Sequence, residues 1–294
     1  MCVKREKAQL LFYIEELFKE RDVNVMRKEH DFLGEMEIPE DVYYGVQTMR
    51  AIENFRITGQ TIDKDFVQSM AKVKKAAALA NMSTGRLEES IGKALVQAAD
   101  EIIAGQMLDQ FPVDPIQGGA GTSVNMNTNE VLVNRALEIM GQPKGRYDII
   151  SPNNHANMAQ STNDSFPTGI KVCVSTKSKK LIQALNRLAD ELDRKALEFK
   201  DVLKMGRTHL QDAVPISLGQ EMGSYASSVR RGIRRIEAAV DGLHTINMGA
   251  TAVGTGLNAE PAYIVDVARE LSTVTGETYR TADNLIDATN NTAG

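Results

Sequence analysis

The stretch "LIQALNRLADELDRKALEFKDVL", residues 181–203, decides the class of fold. Its apolar side chains recur at spacings of four and three, apart from one wider step filled by Ala196. They are Leu181, Leu185, Leu188, Leu192, Phe199 and Leu203. This is the period of an α-helix. Such regularity over about 25–30 residues predicts a rod of about 40 Å, longer than an average globular helix.

Other segments share the helical period. The clearest is a second long rod, with apolar residues at Met222, Val229, Ile233, Ile236, Val240 and Leu243. Helices are also predicted over residues 7–20, 63–105 with a break at Gly85, 130–140 and 260–274. A few short strands are predicted near residues 34–60. Long antiparallel rods with near-heptad seams indicate a helical bundle. We therefore predict a mainly α protein.

The organisation along the chain predicts three parts. Residues 1–25 are a helical N-terminal extension, 26–165 an N-terminal helical domain, and 166–294 the first part of a long-helix bundle domain. An up-and-down bundle needs more rods than these, and the sequence stops at "NNTAG" without a terminating element. We expect the bundle domain to be truncated at Gly294.

Composition and charge exclude several classes of protein. A net charge of −5 and a pI near 5.5 argue against a nucleic-acid binder. The sequence has no apolar run of membrane-spanning length and no signal-peptide pattern, and Cys2 and Cys173 lack metal-ligand spacing. The histidines form no H-E-x-x-H motif, so no metal site is expected; they are His30, His155, His209 and His244. We predict a cytoplasmic protein without membrane or nucleic-acid partners.

Three stretches are dense in Gly, Ser, Thr and Asn. They are "QGGAGTSVNMNTNE" (117–130), "SPNNHANMAQSTNDSFPTG" (151–169) and "MGRTHLQDAVP" (205–215), which we interpret as loops at the ends of rods. Hydroxyls, amides and helix N-terminal N–H groups bind anions without a buried cation. If a bound carboxylate becomes an enediolate dianion, preorganised donors stabilise the transition state. The alternative for each single loop is helix capping and turns, and it stays open.

Single residues in these loops have two readings. Asp164 is interpreted as structural, capping the next helix or orienting the Asn163 amide. Arg207 has the chemistry to hold a substrate carboxylate, but is expected to form a structural ion pair with an acid such as Asp212. His209 lies in a loop rather than on an apolar face, and is as consistent with a functional role as with a structural one.

Five ordered blocks carry a resemblance to a known family. They are "DFLGEMEIPEDVYYGVQTMRAIENF", "DPIQGGAGTSVNMNTNEV", "SPNNHANMAQSTNDSFPTG", "KMGRTHLQDAVPISLGQE" and "NMGATAVGTGLNAEP". On these blocks the chain resembles the fumarase/aspartase superfamily from about Arg27 to Gly294. The resemblance implies a largely helical homotetramer in which each active site draws loops from three subunits.

The resemblance also implies an activity and a set of residues. The activity is reversible β-elimination of ammonia from L-aspartate, a small dicarboxylate, to give fumarate through an enediolate, without organic cofactor or obligatory metal. The matching substrate-binding positions are Thr122, Ser123, Ser161, Thr162, Asn163, Thr208 and His209, the last two contributed by a neighbouring subunit. Within residues 1–294, His209 is the one catalytic candidate.

Two alternatives remain. A class II fumarase would eliminate water from malate, but Thr162, Leu210 and Ser151 stand where fumarases typically carry Ser, Thr and the His of "HPN". A non-catalytic oligomeric relic would share the fold, although the matching donors are all present, which favours an intact site.

One family motif does not occur. The "GSSxMPxKxN" loop, which the resemblance implies supplies the general-base Ser and a carboxylate-binding Lys, is absent from residues 1–294 and expected beyond them. A proton next to a carboxylate is so weakly acidic that losing the positioned base costs several powers of ten in rate. We therefore expect this chain alone to be inactive.

Overall fold

A computed structural model describes residues 25–119 and 121–291 of the chain. Its helices are α1 (Val46–Asn54), α2 (Lys64–Ser83), α3 (Glu89–Ile103), α4 (Thr122–Ile139), α5 (Thr162–Glu198), α6 (Leu218–Leu243), α7 (Pro261–Thr275) and α8 (Leu285–Asn290). Its strands are β1 (Met26–Asp31), β2 (Gly34–Pro39), β3 (Leu203–Thr208), β4 (Gln211–Ser217), β5 (Thr245–Ile246) and β6 (Arg280–Thr281). The mainly α prediction is confirmed. The helix predicted over 7–20 lies outside the described residues.

The chain packs as two compact units. The described residues of Met1–Ile170 and Ile246–Gly294 form the first, and Lys171–Thr245 form the second. The units group the chain differently from the predicted domains, because residues after 246 pack with the N-terminal helices. The assignment of 166–294 to one complete bundle domain stays a prediction.

The first unit has an alanine-rich helical core. On α2, Val67, Met70 and Ala77 are fully buried, and the helix packs against α3 and α7. Small side chains let the helix axes approach closely, which favours tight packing. Asp63 caps α2 by accepting hydrogen bonds from the N–H groups of Asp65 and Phe66. The helices predicted between 63 and 105, with their break at Gly85, are confirmed.

Two buried carboxylates satisfy the free N–H groups at the start of α1. Glu130 accepts from the N–H groups of Gly45, Gln47 and Thr48 at 2.8–3.0 Å. Glu29 accepts from the N–H of Val46 at 2.9 Å. The first N–H groups of a helix have no partner within the helix, and its N-terminus favours negative charge. These acids therefore fix where α1 begins, and burial raises the pKa of Glu130 to about 7.

Gly45 lies against these carboxylates. A Cβ on Gly45 would stand 2.3 Å from the Tyr147 hydroxyl and 2.5 Å from a Glu29 oxygen. We predict that Gly45→Ala lowers the free energy of unfolding by about 3 kcal/mol, because the new methyl group must displace groups that hydrogen-bond to α1. Urea unfolding measures this. Gly232→Ala, in open space within α6, should be neutral or stabilising; equal effects of the two substitutions would contradict the packing argument.

The second unit joins α5 and α6 through a β-hairpin. His209 and Leu210, with φ of 48° and 62°, form its two-residue turn, and both central residues of a type I′ turn have positive φ. Arg207 and Asp212 pair across it at 3.0 Å, as predicted. The prediction of a loop over 205–215 was wrong, and so was the continuation of the rod to Leu203. Both strands are largely exposed, so their sequence lacks the alternation that marks a half-buried strand.

Two helices begin earlier than predicted. The polar run from Thr122 belongs to α4, where Asn125, Asn127 and Asn129 are buried. Helix α5 begins at Thr162 and contains Pro167. A proline leaves the carbonyl four residues before it without its helical donor. The side-chain amide of Asn247 donates to that carbonyl, the oxygen of Asn163, at 3.1 Å.

Candidate active site

The carboxylate of Asp164, in the first turn of α5, organises the polar stretch 151–169. One oxygen accepts from the N–H of Ser161 at 2.9 Å, and the other from the N–H groups of Gly249 and Thr251 at 3.2 and 2.9 Å. Asp164 is fully buried, and burial raises its pKa to about 6 against the opposing effect of these N–H groups and of the charge on Lys74. Of the two predicted roles, Asp164 has the one at the start of the helix, whereas the Asn163 amide donates to the carbonyl of Ala252 instead.

Ser161 and Thr162 line a cavity of about 570 Å³ in the first unit. The other polar wall residues are Arg86, Asn125, Asn153, Asn154, Asn157, Gln160, Thr251 and Asn258. Among these described wall residues, Arg86 alone carries a formal charge. Its guanidinium already donates to the carbonyl of Asn258 at 2.9 Å and lies 3.7 Å from a Glu260 oxygen. The donors facing the cavity are therefore mostly neutral.

Both hydroxyls at the start of α5 act as acceptors toward the protein. The Ser161 oxygen accepts from the N–H of Asn163 at 3.2 Å, and the Thr162 oxygen accepts from the side-chain amide of Asn125 at 3.1 Å. A hydroxyl has one O–H to donate. Because their oxygens are occupied in this way, Ser161 and Thr162 can direct their O–H groups at a ligand in the cavity.

A buried lysine lies behind the cavity wall. The ammonium group of Lys74 donates to the side-chain oxygens of Asn157 and Gln160 at 3.0 and 2.9 Å. The oxygen of Asn157 also accepts from the amides of Asn125 and Asn129 at 3.1 and 3.3 Å. Burial lowers the pKa of Lys74 to about 7, and the negative charge of Asp164 opposes this shift.

The structure brings together only part of the predicted set. Asn163 donates its amide to the carbonyl of Ala252 at 2.7 Å and borders a second cavity of about 480 Å³. Of the described residues of α4, Asn125 and Met126 enter the wall of the larger cavity rather than Thr122 and Ser123, which begin the helix.

Thr208 and His209 lie at the tip of the exposed hairpin in the second unit. Their contribution to a site stays a prediction.

Sequence reasoning missed Lys74, Asn125 and Asn157 as parts of this network. A signal for Lys74 was present, because it lies four residues after Met70 and three before Ala77, on the apolar face of α2. A charged residue at a core-facing helical position needs a polar partner. The asparagines gave no such signal, because polar residues in a polar stretch are ordinary.

Two further findings limit what the site contains. No group of three or more His, Cys, Asp or Glu in the described part of the chain could hold a metal ion. Within the same residues, no helix combines the length and apolar character needed to cross a membrane.

His155 accepts the N–H of Ser151 on Nδ1 at 2.8 Å, and burial lowers its pKa, so it serves as a neutral acceptor.

Solved structures share this arrangement of long helices. A solved fumarate lyase:delta crystallin from Brucella melitensis matches with a TM-score of 0.89 and 44% identity, over 90% of this chain and 58% of that one. The family model described as Lyase matches residues 34–293. The chain belongs to this family, within the fumarase/aspartase superfamily.

Two other comparisons refine the position within the superfamily. An aspartate ammonia-lyase from Bacillus sp is 57% identical over 91% of this chain, and a solved class II fumarase from Schistosoma mansoni is 34% identical over 90% of it, with a TM-score of 0.86. The chain spans 57% of the Bacillus relative and 59% of the fumarase.

The structural role of Asp164 leads to a test. We predict that Asp164→Asn lowers the free energy of unfolding by about 3 kcal/mol, because the new NH₂ group cannot accept from the N–H groups that the carboxylate serves. Chemical denaturation measures the loss. Asp148→Asn removes an exposed carboxylate paired with Arg146 and should leave the free energy of unfolding nearly unchanged. Two equally stable variants would contradict the assignment.

Proposed function

We propose that the protein catalyses the reversible elimination of ammonia from L-aspartate to give fumarate. The observation that carries this proposal is the pair of hydroxyls at Ser161 and Thr162, whose oxygens accept from the protein while their O–H groups are available to the cavity. A wall of mostly neutral donors suits a carboxylate that must gain further negative charge during the reaction. The identity to an aspartate ammonia-lyase supports the same substrate.

The chemistry follows from where charge develops. Removing a proton from the carbon next to a carboxylate moves an electron pair into that carboxylate and forms an enediolate dianion. The C–N bond then breaks, ammonia leaves and the C=C bond of fumarate forms. Donors held in place before the reaction need no reorganisation when this charge appears. Asp164 accepts from the backbone N–H of Ser161, and Asn125 donates to the hydroxyl oxygen of Thr162. The two hydroxyl groups proposed to bind the substrate are therefore held in place before it binds.

The remaining predicted residues enter as proposals. We propose that Thr122, Ser123 and Asn163 complete the substrate contacts and that Thr208 and His209 act in a neighbouring subunit's site. The exposed hairpin tip of Thr208 and His209 suits a contribution to another subunit. We also propose that the reaction needs no cofactor. The general base is proposed to be the Ser of the "GSSxMPxKxN" loop, with His209 the candidate among residues 1–294.

Aspartate is favoured over malate by the comparisons. Identity is 57% to the aspartate ammonia-lyase and 34% to the class II fumarase. Among the residues that line the cavity, Thr162 is the position at which fumarases typically carry Ser instead. The proposed substrate is therefore aspartate, and malate is the specific competitor to test.

An absorbance assay for the conjugated double bond of fumarate tests the proposal with L-aspartate and L-malate given separately. The sample is the full-length protein. We expect fumarate from aspartate, and we expect Thr162→Val and Ser161→Ala each to lower kcat/KM by about a factor of 100. Thr273→Val is the control. Among the described contacts, the Thr273 hydroxyl bonds only to its own helix, so its loss should leave the rate unchanged. Fumarate from malate alone would replace the proposed reaction with that of a fumarase, and no fumarate from either would contradict it.

We further propose a homotetramer that works in the cytoplasm. Helix α5 exposes Val174, Leu181 and Leu188 by 42%, 49% and 48%, at the seven-residue spacing of a helix–helix seam. Contiguous exposed apolar residues mark interaction surfaces in soluble proteins. The proposed location rests on the low cysteine content of the sequence, which contains only Cys2 and Cys173.

The seam predicts an assembly defect. Leu188→Glu should shift the sedimentation of the protein from tetramer toward smaller species, because it places a charge in the proposed helix–helix seam. Leu33→Glu, on an exposed turn between β1 and β2, should leave the assembly unchanged. A tetramer that tolerates Leu188→Glu, or a wild-type monomer, would refute this seam as the subunit interface.

A further inference from the structure

Lys74 is a buried cation that the proposed reaction does not use directly. The residue is only 3% exposed, and its ammonium group donates to Oδ1 of Asn157 at 3.0 Å and to Oε1 of Gln160 at 2.9 Å. A lysine ammonium has donors and no acceptor. Both amides must therefore turn their oxygens toward Lys74, whichever other partners they have. Lys74 thus sets the orientation of two residues in the cavity wall.

The orientation of Asn157 fixes that of Asn125. With its oxygen turned inward, Asn157 presents an acceptor to the amide nitrogen of Asn125 at 3.1 Å. The same nitrogen lies 3.1 Å from Oγ1 of Thr162, while the Ser165 hydroxyl, 3.1 Å from the Asn125 oxygen, has its shorter contact with the carbonyl of Ser161 at 2.7 Å. A side-chain NH₂ has two hydrogens, one for each oxygen. The side-chain nitrogen of Asn125 therefore faces Thr162, and the hydroxyl oxygen of Thr162 accepts a hydrogen bond from it.

We propose that Lys74 is a positioning residue for substrate binding: through Asn157 and Asn125 it makes Thr162 an acceptor toward the protein and so leaves the Thr162 hydroxyl to donate to a substrate carboxylate. This inference rests on the proposed dicarboxylate site. It assigns to Lys74 no contact with the substrate. The sequence of contacts is Lys74 to Asn157, Asn157 to Asn125 and Asn125 to Thr162.

A purely structural lysine makes a different prediction. Replacing a buried charged group by an apolar side chain of similar volume is often neutral or stabilising when its partners can adapt. Lys74→Met would then change stability while leaving ligand binding, and the contribution of Thr162 to it, as in the wild type. A positioning residue instead makes the effects of Lys74 and Thr162 depend on each other, since residues in one hydrogen-bond network are not additive.

Fumarate binding, measured by titration calorimetry on the full-length protein, provides the test without relying on turnover. We expect Lys74→Met and Thr162→Val each to weaken fumarate binding by about tenfold, the value of one hydrogen bond to a charged ligand. The double variant should bind about as weakly as Thr162→Val alone. Lys75→Met is the matched control, because Lys75 pairs with Asp100 on the surface at 2.6 Å; it should bind fumarate as the wild type does.

Asn125→Leu covers the case in which Lys74→Met fails to fold. It interrupts the same sequence of contacts without removing the buried charge. The double variant Asn125→Leu with Thr162→Val should bind fumarate about as weakly as Thr162→Val alone. Independent, additive losses in the variant that folds would overturn the inference, and so would unchanged fumarate binding by Lys74→Met or Asn125→Leu. Those results would leave the proposed function standing. Absence of fumarate binding by the wild-type protein would instead remove the dicarboxylate site on which both proposals rest.

Discussion

The buried carboxylate of Asp164 is the constraint on which the site depends. It joins the start of α5 to a turn more than 80 residues later, by accepting the N–H groups of Ser161, Gly249 and Thr251. A buried carboxylate without such partners would be strongly destabilising, so this arrangement of the three N–H groups is strongly favoured. These hydrogen bonds of Asp164 fix the position of Ser161 and Thr162. The same carboxylate acts electrostatically on Lys74, the buried cation behind the cavity wall.

The long helices were predictable because each buries one apolar face, and that burial leaves a period of 3.6 in the sequence. Helix α4 was predicted to begin too late, because its first two turns bury Asn125, Asn127 and Asn129, which carry no such period. The hairpin around His209 was missed for a related reason, since neither of its strands has a buried face. In both cases the pattern failed where side chains bind each other or solvent rather than a core.

The candidate site was predictable in part. The family blocks led to Ser161 and Thr162, and the structure places both in one cavity. Ser161 is held by nearby residues of α5, whereas Thr162 accepts from Asn125 of α4, which lies 37 residues earlier in the sequence. Helical spacing placed Lys74 on a buried face, but only the folded chain brings it to Asn157. Substrate contacts can be carried over from a motif, whereas the hydrogen bonds that orient those contacts depend on tertiary structure.

A crystal structure of the protein with bound fumarate would test the central claim most directly. We expect a carboxylate of fumarate in the cavity with the hydroxyl oxygens of Ser161 and Thr162 about 2.5–3.0 Å from its oxygens. We also expect Asn125 still to donate to Thr162. Fumarate bound elsewhere, or held in this cavity by Arg86 while both hydroxyls face the protein, would contradict the claim that neutral donors at the start of α5 hold the substrate.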